Sequence, residues 1–203
     1  MILGLITDIH EDVPALRWAL ETLRSERADR IICLGDVSED GRAIDETCDL
    51  LAESGVVGVW GNHDIGVCTL PPEALSHLLR PATLSYMRSY SPRLVIEDCY
   101  FSHIEPCLDP ESAADLWQVP VVPDSAESLE RNWTAVPQRR MFMGHLHRWY
   151  AASSAGASGW LGREPLATGG TARHFVVIGA VCDGGCATLD TVTGWLRPFH
   201  RWN

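Results

Sequence analysis

Apolar positions fall in short runs separated by polar clusters, and their spacing alternates between two periods. Ile2 to Thr7 is a continuous apolar run of strand length, whereas Val13 to Arg27 places Leu16, Leu20 and Leu23 on one helical face, with Pro14 suited to a first turn. Arg30 to Leu34 predicts a second strand, Gly41 to Ser54 a second helix through Ile44, Cys48, Leu51 and Ala52, and Val56 to Trp60 a third buried strand. This β-α-β-α-β order predicts a parallel sheet with crossover helices.

The middle of the chain changes character. Pro71-Pro72 opens a predicted helix to Arg80, and a second helical piece runs from Ala82 to Tyr90 before Pro92. Together they predict a helical lid at about 69–90. Strands are expected at Leu94 to Glu97 and Tyr100 to His103, followed by a loop rich in proline and acids from Glu105 to Asp124. The last third reads mostly as strand: Arg140 to Met143, Tyr150 to Ser153, Phe175 to Cys182, Ala187 to Asp190 and Trp195 to Phe199. Ser153 to Gly159 is a small-residue loop, and Asp183-Gly184-Gly185 reads as a hairpin turn.

Composition narrows the class. With 203 residues, 46% of them apolar, the chain supports one sizeable core, and a single domain over 1–203 is expected. No apolar stretch approaches the roughly 20 residues of a membrane span. An N-terminus without a basic leader, together with seven irregularly spaced cysteines, predicts a soluble cytoplasmic protein with reduced thiols. The formal charge of −11 argues against a stable nucleic-acid complex, because backbone binding needs clustered cations.

The candidate chemistry sits at the predicted strand exits, where α/β sheets collect functional groups. Strand one runs into Asp8-Ile9-His10, strand two into Gly35-Asp36, strand three into Gly61-Asn62-His63-Asp64, a later strand into His103 and another into Gly144-His145-Leu146-His147. Residues two apart in an extended segment point to one side, so Asp8 with His10 and His145 with His147 can each converge on a cavity. Carboxylate, imidazole and amide donors without thiolate suit Mn²⁺, Fe, Zn²⁺, Ni²⁺ or Co²⁺ better than Ca²⁺ or Mg²⁺. Seven donors exceed one tetrahedral ion, whereas two ions sharing a bridging carboxylate use them all. His77, His174 and His200 lie outside these segments and read as surface or packing residues.

This order of motifs resembles the calcineurin-like metallophosphoesterase superfamily, and within it the small single-domain phosphodiesterases of the YfcE type. Asp12-Val13-Pro14-Ala15-Leu16 and the segment from Ser91 to Asp98 stand at comparable places. The resemblance implies a four-layer αββα sandwich of two facing mixed β-sheets flanked by helices. It implies one ion on Asp8, His10, Asp36 and His147 and a second on Asp36, Asn62, His103 and His145, with Asp36 as the bridge and manganese the favoured metal. Two such ions, about 3.5–4 Å apart, would furnish hydroxide for in-line attack on a small phosphate ester, a nucleotide among the candidates.

In this reading His63 is a general acid on the leaving oxygen or a donor to the transition state, and Asp64 either orients His63 or is a turn carboxylate. A phosphodiesterase is favoured over a phosphomonoesterase. The alternative is a catalytically silent scaffold of the same fold that binds proteins.

Three departures stand out. Glu11 occupies a position that is often glycine, Ile104-Glu105 follows the isolated histidine, and no arginine follows Gly35-Asp36 closely. Arg42 and Arg173 are candidate phosphate contacts or surface arginines, and Trp60, Trp117 and Trp149 are candidate stacking surfaces or core residues.

Overall fold

A computed structural model describes residues 1–119, 121–157 and 159–202. The chain opens with β1 (Ile2–Ile6), α1 (Val13–Ser25), β2 (Arg30–Cys33), α2 (Ile44–Glu53) and β3 (Val57–Gly58). Three short helices follow, α3 (Ile65–Thr69), α4 (Pro72–Leu75) and α5 (Pro81–Met87), and then β4 (Leu94–Ile96) and β5 (Cys99–Phe101). Next come α6 (Ala113–Leu116), α7 (Ala126–Ala135), β6 (Arg140–Met143), β7 (Tyr150–Ser153) and β8 (Gly156–Ala157). The chain ends in β9 (Leu166–Ala167), β10 (His174–Val177), β11 (Gly185–Asp190) and β12 (Trp195–His200).

Two mixed sheets result, ordered β3-β2-β1-β11-β12-β9 and β4-β5-β6-β10-β7-β8. Strand alternation assigns each side chain its layer. Leu3 and Leu5 of β1, with Ile32 of β2, point between the sheets onto Phe101, Phe142 and Val176. Ile6, Ile31 and Cys33 face α1 and α2 instead, packing with Leu16, Leu23 and Leu51. Met141 and Met143 of β6 and Phe175 and Val177 of β10 face the other way, toward Leu129 of α7. The layers are therefore helix, sheet, sheet, helix, as the motif resemblance implied. Gly4 permits the close seat of α1, because a Cβ there would lie 2.9 Å from Leu23 Cδ1.

Local chemistry explains where predicted and observed boundaries differ. Asp12 caps α1 by accepting from Ala15 N, and the helix ends at Ser25 rather than Arg27. α2 starts at Ile44 because residues 39–43 are held in a loop by the Glu11 carboxylate, which accepts from Glu39 N, Gly41 N and Ala43 N. The expected helix from Pro71 to Arg80 lasts one turn, Pro72–Leu75, and Arg80 is extended before Pro81 (φ −65°, ψ 149°), where the next helix starts. β3 shrinks to two residues, and Val59 after it forms an isolated bridge to Ser91.

The expected strand from Phe175 to Cys182 stops at Val177 because the chain changes sheets. Ile178 N still donates to Met143 O (2.9 Å), whereas Val181 N and Cys182 N donate to Thr7 O (2.8 Å) and Asp8 O (3.2 Å). Asp183-Gly184-Gly185 is accordingly a turn between two sheets, not the hairpin expected from sequence. α3 and α7 lie outside the helices that the sequence predicts. Within the expected 153–159 loop, Ser153 and Gly156 pair as the β7–β8 hairpin, while residue 158 lies outside the described residues.

The 69–90 segment lies largely on α2. Thr83, Leu84 and Met87 of α5 are buried, and Arg80 pairs with Asp45 and Asp49 of α2. α6 interrupts the 105–124 loop, capped by Ser112, which accepts from Asp115 N.

Candidate metal centre

β1, β2, β3, β5 and β6 all end at one rim of the sandwich, and each releases its polar cluster there. Among the described residues, six of the eight non-glycine positions with positive φ are in these segments: Asp8 (50°), His10 (48°), Glu11 (58°), Asp36 (54°), His145 (68°) and His147 (47°). Left-handed backbone costs on the order of 1–3 kcal/mol per residue, so this concentration needs interactions to hold it. They are present: Ile9 N and His10 N donate to Asp36 O, Glu11 N to Val37 O, and His145 N to both Asp8 oxygens (3.2 and 3.0 Å). Gly35 (φ 100°) is required by crowding as well, since a Cβ would sit 2.7 Å from His103 Nδ1 and from Gly61 N.

The side chains converge in two groups. In the first, His10 Nε2 lies 3.1 Å from His147 Nε2, 4.0 Å from Asp8 Oδ1 and 3.8 Å from Asp36 Oδ2, and His147 Nε2 lies 3.5 Å from Asp8 Oδ1. In the second, His103 Nε2 lies 3.1 Å from Asn62 Oδ1, 3.1 Å from His145 Nδ1 and 3.2 Å from the same Asp36 Oδ2. Asp36 thus faces both groups. All seven residues assigned as ligands by the motif resemblance are brought together.

Three of the four imidazoles also have an outward partner. His10 Nδ1 meets Glu39 Oε2 (2.6 Å), His103 Nδ1 meets Leu34 O (2.7 Å), and His147 Nδ1 meets Asp183 Oδ2 (3.2 Å). A carbonyl or carboxylate behind an imidazole fixes its tautomer and turns the other nitrogen's lone pair inward, which is how metal-binding histidines are held.

The electrostatics agree with this fit. Asp8 and Asp36 are buried carboxylates, and burial pushes the Asp8 carboxyl above its ordinary value. Burial pushes Asp36 the same way, but the charge and hydrogen bond of His103, with the His63 backbone N–H, outweigh it and hold it low. His103, although buried, is raised to about 9, chiefly by Asp36. His145 is lowered to about 4, first by burial and then by His103. Two buried carboxylates therefore demand positive charge, and a proton on His103 meets that demand only in part. Divalent cations held by these oxygen and imidazole donors fit the same demand.

His63 stands at the mouth, half-buried, with its ring centroid 4.9 Å from that of His10 and 5.2 Å from that of Trp117. Asp64 does not meet the His63 ring. Its fully buried carboxylate accepts from Val37 N, Ser38 N, Ser38 Oγ and Gly61 N, tying the β2 exit to the β3 exit. Glu39 lies beside His63 instead, with Oε2 3.3 Å from Nδ1.

Several sequence candidates fall elsewhere. Arg42 is exposed and paired with Asp40, and Arg173 donates to the carbonyls of Trp133 in the last turn of α7 and of Val136 and Gln138 after it. Trp60 is buried with Nε1 donating to Pro110 O, and Trp149 packs on Trp160 and His200, which leaves Trp117 at the mouth. His77, His174 and His200 lie outside both groups. Glu105 turns its carboxylate to Asn132 Nδ2 (2.5 Å), and it lines a cleft of about 210 Å³ with Leu108, Arg131, His145 and Leu146.

Sequence reasoning missed Glu39 and Asp183, for which spacing offers no signal. A larger cavity of about 470 Å³ near β9 and β12, lined by Trp160, Arg163 and Trp195, contains none of the candidate ligands. Donor geometry, not volume, marks the functional rim.

The profile of the calcineurin-like phosphoesterase superfamily domain matches residues 1–184. Among solved structures, a metallophosphoesterase from Sphaerobacter thermophilus superposes with a TM-score of 0.77 at 21% identity, covering 98% of this chain and 87% of that one. An archaeal phosphodiesterase superposes at 0.56 and 16% identity, covering 98% and 99%. A candidate diadenosine tetraphosphatase superposes at 0.57 and 16%, covering 100% and 94%. An uncharacterised protein of Methanocaldococcus jannaschii, MJ0912, is 33% identical over 66 residues, a match that spans 32% of this chain and 27% of that protein. With the profile matched across most of its length and the motif residues gathered at one rim, this chain belongs to the calcineurin-like phosphoesterase superfamily.

Proposed function

We propose that this protein is a binuclear metal-dependent phosphoesterase that hydrolyses a small phosphodiester in preference to a phosphomonoester. The observation that carries the reading is the position of Asp36 Oδ2, 3.8 Å from His10 Nε2 and 3.2 Å from His103 Nε2, between two donor groups. Asp8, His10, Asp36 and His147 would hold one cation, and Asp36, Asn62, His103 and His145 the other. Manganese is the proposed metal, with iron, nickel, zinc and cobalt compatible with the same donors.

When bound, such a pair acidifies a water and neutralises the non-bridging phosphate oxygens. The chain's own groups do the rest. Glu39, Asp183 and Leu34 O keep the imidazoles of His10, His147 and His103 oriented inward. His63, at the mouth, donates a proton to the leaving oxygen or a hydrogen bond to the developing charge. Asp64 keeps the loops carrying Asp36 and Asn62 in register.

A diester is favoured because the mouth has room for a second ester substituent, in the 210 Å³ cleft and beside Trp117, while Arg42 and Arg173 are committed elsewhere. Trp117 offers a stacking face for a nucleotide or aryl group. The chain acts as one domain over 1–203, with Trp117 beside His63 at its mouth. It works in the cytoplasm, consistent with seven unpaired cysteines, and no described helix is long and apolar enough to cross a membrane. A protein-binding scaffold would not require every donor to converge.

The test is hydrolysis of bis(p-nitrophenyl) phosphate against p-nitrophenyl phosphate, after chelation and after return of Mn²⁺ or Ni²⁺. Restored diester cleavage that exceeds monoester cleavage is expected. Monoester preference would overturn the substrate assignment, and inactivity with full metal loading would favour the scaffold.

A further inference from the structure

Glu39 touches two residues to which the proposed function gives different tasks. Its Oε2 lies 2.6 Å from Nδ1 of His10, a proposed cation ligand, and 3.3 Å from Nδ1 of His63, the proposed proton donor. The two rings stand edge to face at 87°, and one carboxylate oxygen reaches the Nδ1 of both while His10 Nε2 faces His147 and Asp36. The loop that presents Glu39 is itself fixed. Glu39 N donates to Glu11 Oε1 (2.9 Å), and the same carboxylate takes Gly41 N (2.8 Å) and Ala43 N (2.7 Å). Glu11 occupies a left-handed position (φ 58°) directly after His10, so the residue that anchors the loop and the ligand it serves are chain neighbours.

We propose that Glu39 is a shared positioning residue, orienting His10 toward the first cation position and His63 toward the substrate with one carboxylate. Its neighbour Asp40 differs in that its carboxylate pairs with Arg42 (2.8 Å) and reaches neither imidazole. Loss of the carboxylate at 39 frees the His10 ring to rotate and removes its tautomer lock, an effect worth roughly 10- to 100-fold in metal affinity. The second cation position keeps its affinity, because Leu34 O, not Glu39, orients His103.

The inference rests on the binuclear reading, and the experiment separates the two. Mn²⁺ binding is titrated calorimetrically into the chelated full chain and into the variants Glu39→Ala, Glu39→Gln and Asp40→Asn, with kcat and KM for bis(p-nitrophenyl) phosphate measured at saturating Mn²⁺. The wild type is expected to bind two ions. Glu39→Ala should weaken one of them about 10- to 100-fold and leave the other unchanged. Its kcat should fall at unaltered KM, because His63 has lost its support. Glu39→Gln should recover most of the metal affinity, since its amide oxygen can still accept from His10 Nδ1, and Asp40→Asn should match the wild type. A wild type that binds no Mn²⁺ defeats both readings. A two-ion wild type whose affinities survive Glu39→Ala, or are lowered equally by Asp40→Asn, defeats the role of Glu39 alone.

Discussion

His10 and His147, separated by 137 positions in sequence, bring their Nε2 atoms to 3.1 Å from each other. Two neutral imidazoles presenting lone pairs at that distance repel unless a proton or a cation lies between them. Their rear nitrogens are already engaged by Glu39 and Asp183. A cation held jointly with Asp8 and Asp36 is the economical resolution.

Asp36→Asn tests the shared carboxylate. Because Asp36 Oδ2 faces both donor groups, the substitution is expected to reduce metal content at both positions, measured by elemental analysis after gel filtration. Retention of two ions per chain would show that Asp36 does not bridge.

His63 touches the mouth but belongs to neither proposed ligand set. His63→Ala should therefore keep two ions and the wild-type unfolding midpoint while lowering kcat by about 10²- to 10⁴-fold. Unchanged turnover would remove His63 from the mechanism.

Asp64→Ala should act on stability. It strands the buried N–H groups of Val37, Ser38 and Gly61, a loss on the order of 3 kcal/mol read in urea unfolding. A drop in kcat with stability intact would return Asp64 to the chemistry.

Asp98 supplies a pH signature remote from the rim. Slight burial pushes its carboxyl up, but the Arg139 backbone N–H, its guanidinium hydrogen bond and its charge prevail and hold it below the ordinary value. A depressed folded-state pKa stabilises above the unfolded value near 4, and that stabilisation is lost as pH falls through the folded value. Asp98→Asn should thus lower stability at pH 7 by less than about 1 kcal/mol, given the exposure of the pair, and by less still near pH 2.5. Equal losses at both pH values would contradict the assignment.

The donors were legible in the sequence because each follows an apolar run that must be a strand, and strand ends of neighbouring parallel strands share one edge. What stayed hidden depends on partners. Glu39 is one acid within an acidic run, and only the fold brings it behind His10 and His63. α7 presents Leu129 and Trp133 among charged and polar residues, too thin a stripe to announce a helix, yet Leu129 closes the outer layer over Met141 and Phe175. The apolar run after Phe175 reads as one strand because periodicity carries no sign of the change of sheet at Ile178.

The most direct measurement of the central claim is the low-temperature electron paramagnetic resonance spectrum of the chelated protein reloaded with Mn²⁺. Two ions joined through Asp36 should give an exchange-coupled multiline signal that collapses in Asp36→Asn. A single six-line pattern from isolated Mn²⁺ at full loading, or no bound manganese, would contradict a binuclear centre.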